Sequence, residues 1–281
     1  MPELPEVEVV SRLLGQALSN ATVESVIPTG VSTLKSFDPP ISQIAGHSIE
    51  SVRRRGKHLI IDFDDGLSLL LHLMSAGRLQ LFDKHGSLRD KTSRLLIRLG
   101  DGRELRLREF GTRQSSWAKL LVTSRLDSDE AIATLGPEAW PDPPPFEELL
   151  KAPRPLNSLI RDQQVIAGIG RSWADEILHQ AMLSPFKRGD DLTDSQADDL
   201  RTATIERLGS AIEHYEQAVQ LPIPDKLPMP LQVHRRAGLP CPRCGSDIRA
   251  VYFEGHEMCY CPQCQTEGRV LKDRRLSRLV K

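Results

Sequence analysis

The sequence predicts an α+β multidomain fold: an N-terminal helix plus an antiparallel β-sandwich, then a C-terminal helical domain that ends in a cysteine-rich module. Three observations carry this. Apolar residues recur at helical spacing from Glu3 to Leu18, then give way between Thr22 and Val122 to short apolar runs with polar breaks. Leu135 to Pro145 is dense in proline, and helical patterns follow it. Two CxxC pairs stand near the end of the chain.

Each element has its own signal. Val7, Val10, Leu14 and Leu18 form the apolar stripe of the first helix. Strands are expected at His58–Phe63, Leu67–Leu73, Leu79–Phe82 and Leu95–Leu99, with Asp64-Asp65-Gly66 and Gly100-Asp101-Gly102 as hairpin turns. These strands make a β-sandwich or flattened barrel. Helical patterns cover 145–151, 156–163, 172–180 and 194–221, and a proline-punctuated loop covers 221–230. The 281 residues suit two domains, each able to bury a core. The expected boundaries are 1–134 for the sandwich domain, 135–145 for the linker, 146–236 for the helical domain, 237–269 for the cysteine module and 270–281 for a basic tail.

The net charge of −1 does not by itself mark a nucleic-acid binder, but the charge is unevenly placed. Arg53, Arg54, Arg55 and Lys57 cluster in one turn, and residues 231–281 hold ten Lys/Arg against five Asp/Glu, a net of +5. Apolar runs of 18 residues and signal-peptide patterns are absent, so a soluble, cytoplasmic protein without a membrane partner is expected. Cys241, Cys244, Cys261 and Cys264 have the spacing of a metal site, and four thiolates suit one structural zinc ion with no open position. Cys259 is the odd one, a competing ligand or a spare thiol on the hairpin.

The opening Met1-Pro2-Glu3 carries chemistry of its own. Removal of Met1 exposes Pro2 as a secondary amine, and an α-amino group titrates at about 7.7–8.0, so a useful fraction is uncharged at neutral pH. Such an amine can attack a carbon that bears a leaving group and form an iminium. Glu3 beside it is the natural acid–base partner. Glu6 either orients this terminus or is simply a first-turn carboxylate favoured by the helix dipole.

The opening PELPEVE resembles that of the formamidopyrimidine-DNA glycosylase and endonuclease VIII family. Arg54-Arg55-Gly56-Lys57-His58-Leu59 resembles its basic strand and turn. Asp162-Gln163, Ala167-Gly168-Ile169-Gly170 and Ala174-Asp175-Glu176 resemble its helix-two-turns-helix, and the four cysteines resemble its β-hairpin zinc finger. The matches keep the family's order and cover nearly the whole chain.

The resemblance implies a DNA glycosylase with AP-lyase activity acting on damaged double-stranded DNA in base excision repair, as a monomer associated with the nucleoid. Pro2 would attack the deoxyribose C1′, Glu3 would assist ring opening, and Lys57 would contact the phosphate next to the lesion. Met74, Arg108 and Phe110 would fill the gap left by the flipped nucleotide, although Met74 and Phe110 could equally be core. Gly168 and Gly170 would let a phosphate approach a helix N-terminus.

Two positions depart from the family's pattern. Arg171 stands where an asparagine normally follows the second glycine, and His256 stands where the hairpin normally presents an arginine. Both changes put the grip on the lesion strand and δ-elimination in question. On the sequence alone His256→Arg is expected to strengthen δ-elimination. They also motivate the alternative, a non-catalytic protein of the same fold that binds lesions or abasic sites. A third reading, a zinc ribbon fused to an unrelated β-domain, leaves the N-terminus unexplained. Preference between oxidised purines and pyrimidines is not legible.

Overall fold

A computed structural model of the chain describes residues 2–30 and 32–272. The chain forms two compact units, Met1–Thr134 with Ile212–Pro228, and Leu135–Ala211 with Met229–Lys281. The expected basic tail at 270–281 lies, from residue 273 onward, outside the described residues.

The first unit begins with α1 (Leu4–Leu18), whose Val7, Val10, Leu14 and Leu18 are all buried, as the helical spacing requires. Its start is closed by a capping box in which Glu3 and Glu6 satisfy each other's backbone N–H groups. Eight strands follow: β1 (Val23–Pro28), β2 (Ile49–Arg55), β3 (His58–Phe63), β4 (Leu67–His72), β5 (Gly77–Phe82), β6 (Ser93–Leu99), β7 (Glu104–Glu109) and β8 (Trp117–Val122). They pair antiparallel in two four-stranded sheets, ordered β1-β6-β7-β5 and β2-β3-β4-β8. In the β3–β4 hairpin Leu59 faces Leu71 and Ile61 faces Leu69, and all four are fully buried. Because α1 packs against β2 and β3, β3 is also covered on its second face, which is why Leu59, Ile60 and Ile61 are apolar in succession.

The hairpin turns fall where the sequence puts them. Asp65 accepts the Leu67 N–H at 3.1 Å, and Asp101 accepts the Arg103 N–H at 3.0 Å, each an aspartate closing its own turn. A short helix α2 (Glu130–Ala133) ends this stretch, capped by the Asp129 side chain.

Ile212–Pro228 belongs to this first unit, although the sequence reading places it within 146–236. The reason is specific pairing. Tyr215 is fully buried and donates to Glu6, and the Gln80 side chain donates to the Ile223 carbonyl and to Asp225.

The second unit contains the short α3 (Phe146–Leu149), α4 (Leu156–Arg161), α5 (Arg171–Gln180) and most of α6 (Asp194–Ala218). A hairpin of β9 (Arg249–Phe253) and β10 (His256–Tyr260) and the short α7 (Pro262–Thr266) complete it. Gln163 organises the turns between α4 and α5. Its amide donates to the carbonyls of Arg161 and Ile169 and accepts from the Gly168 N–H. Gly168 has φ = +110°, a conformation an L side chain rarely adopts.

Among the described residues, no helix is long and apolar enough to cross a membrane.

Candidate active site and nucleic-acid interface

Pro2, Glu3 and Glu6 are all buried at the start of α1. One oxygen of Glu6 accepts the Glu3 backbone N–H at 2.8 Å, and the other accepts the Tyr215 hydroxyl at 2.6 Å. Burial, and then the nearby charge of Glu3, raise the pKa of Glu6, while the Tyr215 hydrogen bond opposes them. Glu6 is thus a first-turn carboxylate of the capping box that is also tied to Tyr215. Tyr215, which reasoning from the sequence missed, lies 209 positions from Glu6 and carries no local signal.

Lys57 is 7 % exposed and follows Gly56, whose φ of +55° makes the turn between β2 and β3. The turn is tied to α1 through Glu8, which accepts from Arg54 at 2.6 Å and from Arg12 at 2.7 Å. Lys57 therefore stands on a strand end fixed to the same helix that carries Pro2 and Glu3.

Met74 and Phe110 sit on adjacent segments of this unit, since the Phe110 N–H donates to the Ala76 carbonyl. Phe110 is 41 % exposed, so it is not core. Met74 is half-buried with φ = +49°, and its N–H donates to Nδ1 of His72 at 2.9 Å. That bond needs a neutral His72. Burial, helped by the charge of His58, lowers its pKa to about 3. Arg108 is held from within the unit: it donates to Thr92 at 3.0 Å and Gln80 at 3.2 Å, and it lies 3.4 Å from Asp90 and 3.5 Å from Asp225. Its guanidinium carbon also lies 4.7 Å from the centre of the Phe110 ring. Glu109, between Arg108 and Phe110, is buried and accepts the N–H groups of Ser115 and Ser116.

In the second unit Gly170 is the N-cap of α5 and Arg171 its first, exposed residue. His256 is 4 % exposed at the start of β10. It meets Arg161, the last residue of α4, through a contact between Nε2 and the arginine Nη1. Burial lowers the pKa of His256, and the charges of Arg161 and Arg171 add to that shift. Reasoning from the sequence did not single out Arg161, which lies 95 positions from His256.

α5 also carries two buried carboxylates. Glu176 accepts the backbone N–H groups of Gln232, Val233 and His234 and a bond from Arg207 at 2.7 Å. Asp175 accepts from His234 Nδ1 at 2.6 Å and from the Cys259 N–H at 3.1 Å. Together they fasten the chain that enters the cysteine module, and the hairpin itself, to α5.

The Sγ atoms of Cys241, Cys244, Cys261 and Cys264 all lie within 4.8 Å of one another. Cys241 and Cys264 are 3.9 Å apart and Cys244 and Cys261 3.4 Å apart at Sγ, and all five cysteines are free thiols. Four sulfurs at about 2.3 Å from a zinc ion form a tetrahedron with edges of about 3.8 Å. The donor set and spacing therefore fit a structural zinc ion. Cys259 is buried beside this group but is not one of the four.

Comparison with known proteins agrees with this geometry. Residues 1–113 match the family model for the formamidopyrimidine-DNA glycosylase N-terminal domain, and residues 136–222 match that for the formamidopyrimidine-DNA glycosylase H2TH domain. The formamidopyrimidine-DNA glycosylase of Desulforamulus reducens is 33 % identical over 280 residues, covering 94 % of this chain and 99 % of that protein. That of Thermus thermophilus is 32 % identical over 288 residues, covering 95 % and 100 %. Among solved structures, Lactococcus lactis Fpg (MutM) with DNA containing N7-benzyl-Fapy-dG aligns with a TM-score of 0.85 at 28 % identity, covering 94 % of this chain and 100 % of that one. The same enzyme with abasic-site DNA aligns with a TM-score of 0.84 at 27 % identity, covering 94 % and 99 %.

Proposed function

Because the chain belongs to the formamidopyrimidine-DNA glycosylase family, we propose that it is a DNA glycosylase and AP lyase that removes oxidised bases from duplex DNA through a Schiff base on Pro2. The observation that carries this reading is the buried N-terminus. Glu6 closes the capping box through the Glu3 N–H and also accepts the Tyr215 hydroxyl, which holds in place the first residues that a nucleophile at Pro2 would need fixed.

In this mechanism the Pro2 nitrogen bonds to the deoxyribose C1′, and the bond from C1′ to the base breaks, the base leaving with a proton. Glu3 delivers a proton to the ring oxygen, and the sugar opens to an iminium. Loss of a C2′ proton then expels the 3′ phosphate, which nicks the strand, and water releases Pro2 from the sugar fragment. Lys57 binds the phosphate beside the lesion. Met74 and Phe110 occupy the space left by the flipped nucleotide. The four cysteines hold one zinc ion, whose part is to fold the finger.

Borohydride trapping on a duplex with one abasic site tests the reading, with Met1 removal verified by mass. The expected product is a covalent adduct that maps to Pro2, and Pro2→Gly, which replaces the cyclic secondary amine by a primary one, is expected to abolish nicking. Tight binding with no adduct would instead select the non-catalytic lesion binder.

A further inference from the structure

The hydrogen bonds of His256 fix its protonation state. Its Nδ1 lies 3.1 Å from the Glu254 carbonyl oxygen, which can only accept, so Nδ1 carries the proton. Nη1 of Arg161, which can only donate, lies 3.4 Å from Nδ1 and nearer to Nε2, so the lone pair it meets is the one on Nε2. The ring is therefore a neutral tautomer. It brings no positive charge to the hairpin and instead accepts from the guanidinium.

Arg161 is well prepared to use that support. Nη1 also donates to Asn157 Oδ1 at 2.9 Å, one turn back on α4. Nη2 pairs with Glu254 Oε2 at 3.8 Å, and that carboxylate also accepts from Ser158 at 2.9 Å. The Arg161 side chain keeps 18 % of its surface exposed. The exposed Arg171 is near enough for its charge to act on the same histidine. The Arg161 guanidinium thus rests on one imidazole, and Arg171 stands at the glycine-capped start of α5. A guanidinium so placed suits a phosphodiester, which an arginine can grip through two parallel hydrogen bonds.

We propose that Arg161 is the side chain with which this face holds a phosphate of the lesion strand, and that His256 is its positioning residue. The charge that the sequence reading finds missing at position 256 is present, relocated to the end of α4. This inference rests on the reading of the chain as a DNA glycosylase. It also reverses one expectation, because His256→Arg alone sets a second guanidinium against Arg161 and cannot simply strengthen the site.

The test is equilibrium binding of the zinc-loaded protein to a duplex containing a tetrahydrofuran abasic-site analogue, between about 50 and 200 mM KCl. Arg161→Leu keeps the apolar stem and a good helix former but removes the charge. It is expected to weaken binding and to lower the slope of log K against log salt by about one. His256→Gln can still accept from Arg161 and should retain more affinity than His256→Ala. The double variant Arg161→Leu with His256→Arg moves the charge onto the hairpin and should recover the slope lost in Arg161→Leu, a non-additivity that marks direct coupling. Melting temperature and zinc content of each variant separate these effects from loss of fold. An unchanged slope in a folded Arg161→Leu, or a double variant no better than Arg161→Leu, would overturn the proposal while leaving the glycosylase reading intact. Failure of the wild-type protein to bind the duplex would overturn both.

Discussion

Burial and the charge of Glu3 raise the pKa of Glu6 above its ordinary 4.5, whereas the Tyr215 hydroxyl, donating at 2.6 Å, favours the ionised form. A carboxyl raised in the folded state is most favourable when protonated, below its unfolded pKa. Its contribution falls as pH climbs toward the folded value. Removing the opposing hydrogen bond should steepen that fall. Tyr215→Phe is therefore expected to cost about 1–3 kcal/mol at a pH high enough to ionise Glu6, where a buried carboxylate has lost a partner. Near pH 4 it should cost less, about 0.5–1.5 kcal/mol, because a protonated carboxyl loses only an ordinary hydrogen bond. Urea unfolding at the two pH values measures the difference, and a pH-independent cost would mean that Glu6 is not the partner that matters. The pair was illegible in the sequence for a plain reason: periodicity and spacing report neighbours along the chain, whereas Glu6 and Tyr215 meet through tertiary packing. Arg161 and His256 are the same case across 95 positions.

At the scale of elements, α5 does two jobs with its start and its middle. Its N-terminus presents Gly170 and Arg171, while its buried Asp175 and Glu176 hold the segment leading to the finger. Three backbone N–H groups and Arg207 converge on Glu176, so truncation strands several buried donors and a charge at once. Glu176→Ala should cost about 3–5 kcal/mol, the range for breaking a buried ion pair. Faster hydrogen exchange is expected at the amides of Gln232, Val233 and His234, and a variant with unchanged protection there would show that the contacts are not holding the segment. Elements with strong local patterns were legible. α1 begins one residue from its expected start, α5 likewise, and both aspartate turns close their hairpins. The end of α6 was not, because a long amphipathic helix gives no sign of where its burial passes from one core to another. Its residues from Ile212 belong to the first unit. The Gln163 clamp was half legible, visible as part of Asp162-Gln163 but silent about the carbonyls it ties down.

Across the whole molecule, ion pairing changes what the charge count means. Arg53 lies 2.7 Å from Asp62, Arg98 lies 3.2 Å from Glu104, and Arg106 pairs with Glu104 too, so much of the basic content of the first unit is balanced within it. With a net charge of −1, non-specific attraction to DNA cannot come from the protein's overall field. On the proposed function it must come from local donors, and on the proposal above the hairpin that carries His256 is one of the elements that place them. That hairpin depends on the cysteine group: Cys241 and Cys261 share a buried cluster with Val233, Ile248 and Cys259. Four thiolates within 4.8 Å repel one another unless a cation holds them or protons neutralise them. Chelation, or Cys244→Ser, is accordingly expected to release about one zinc ion per chain and to weaken binding to a lesion duplex in proportion to the zinc lost. Adding zinc back should restore binding after chelation but not in Cys244→Ser. Titrating metal content against affinity in one preparation distinguishes this from general damage, since a folded but zinc-free protein that binds with the wild-type salt dependence would show that the finger places none of the phosphate contacts, and the grip would then have to lie with Lys57 and the start of α5.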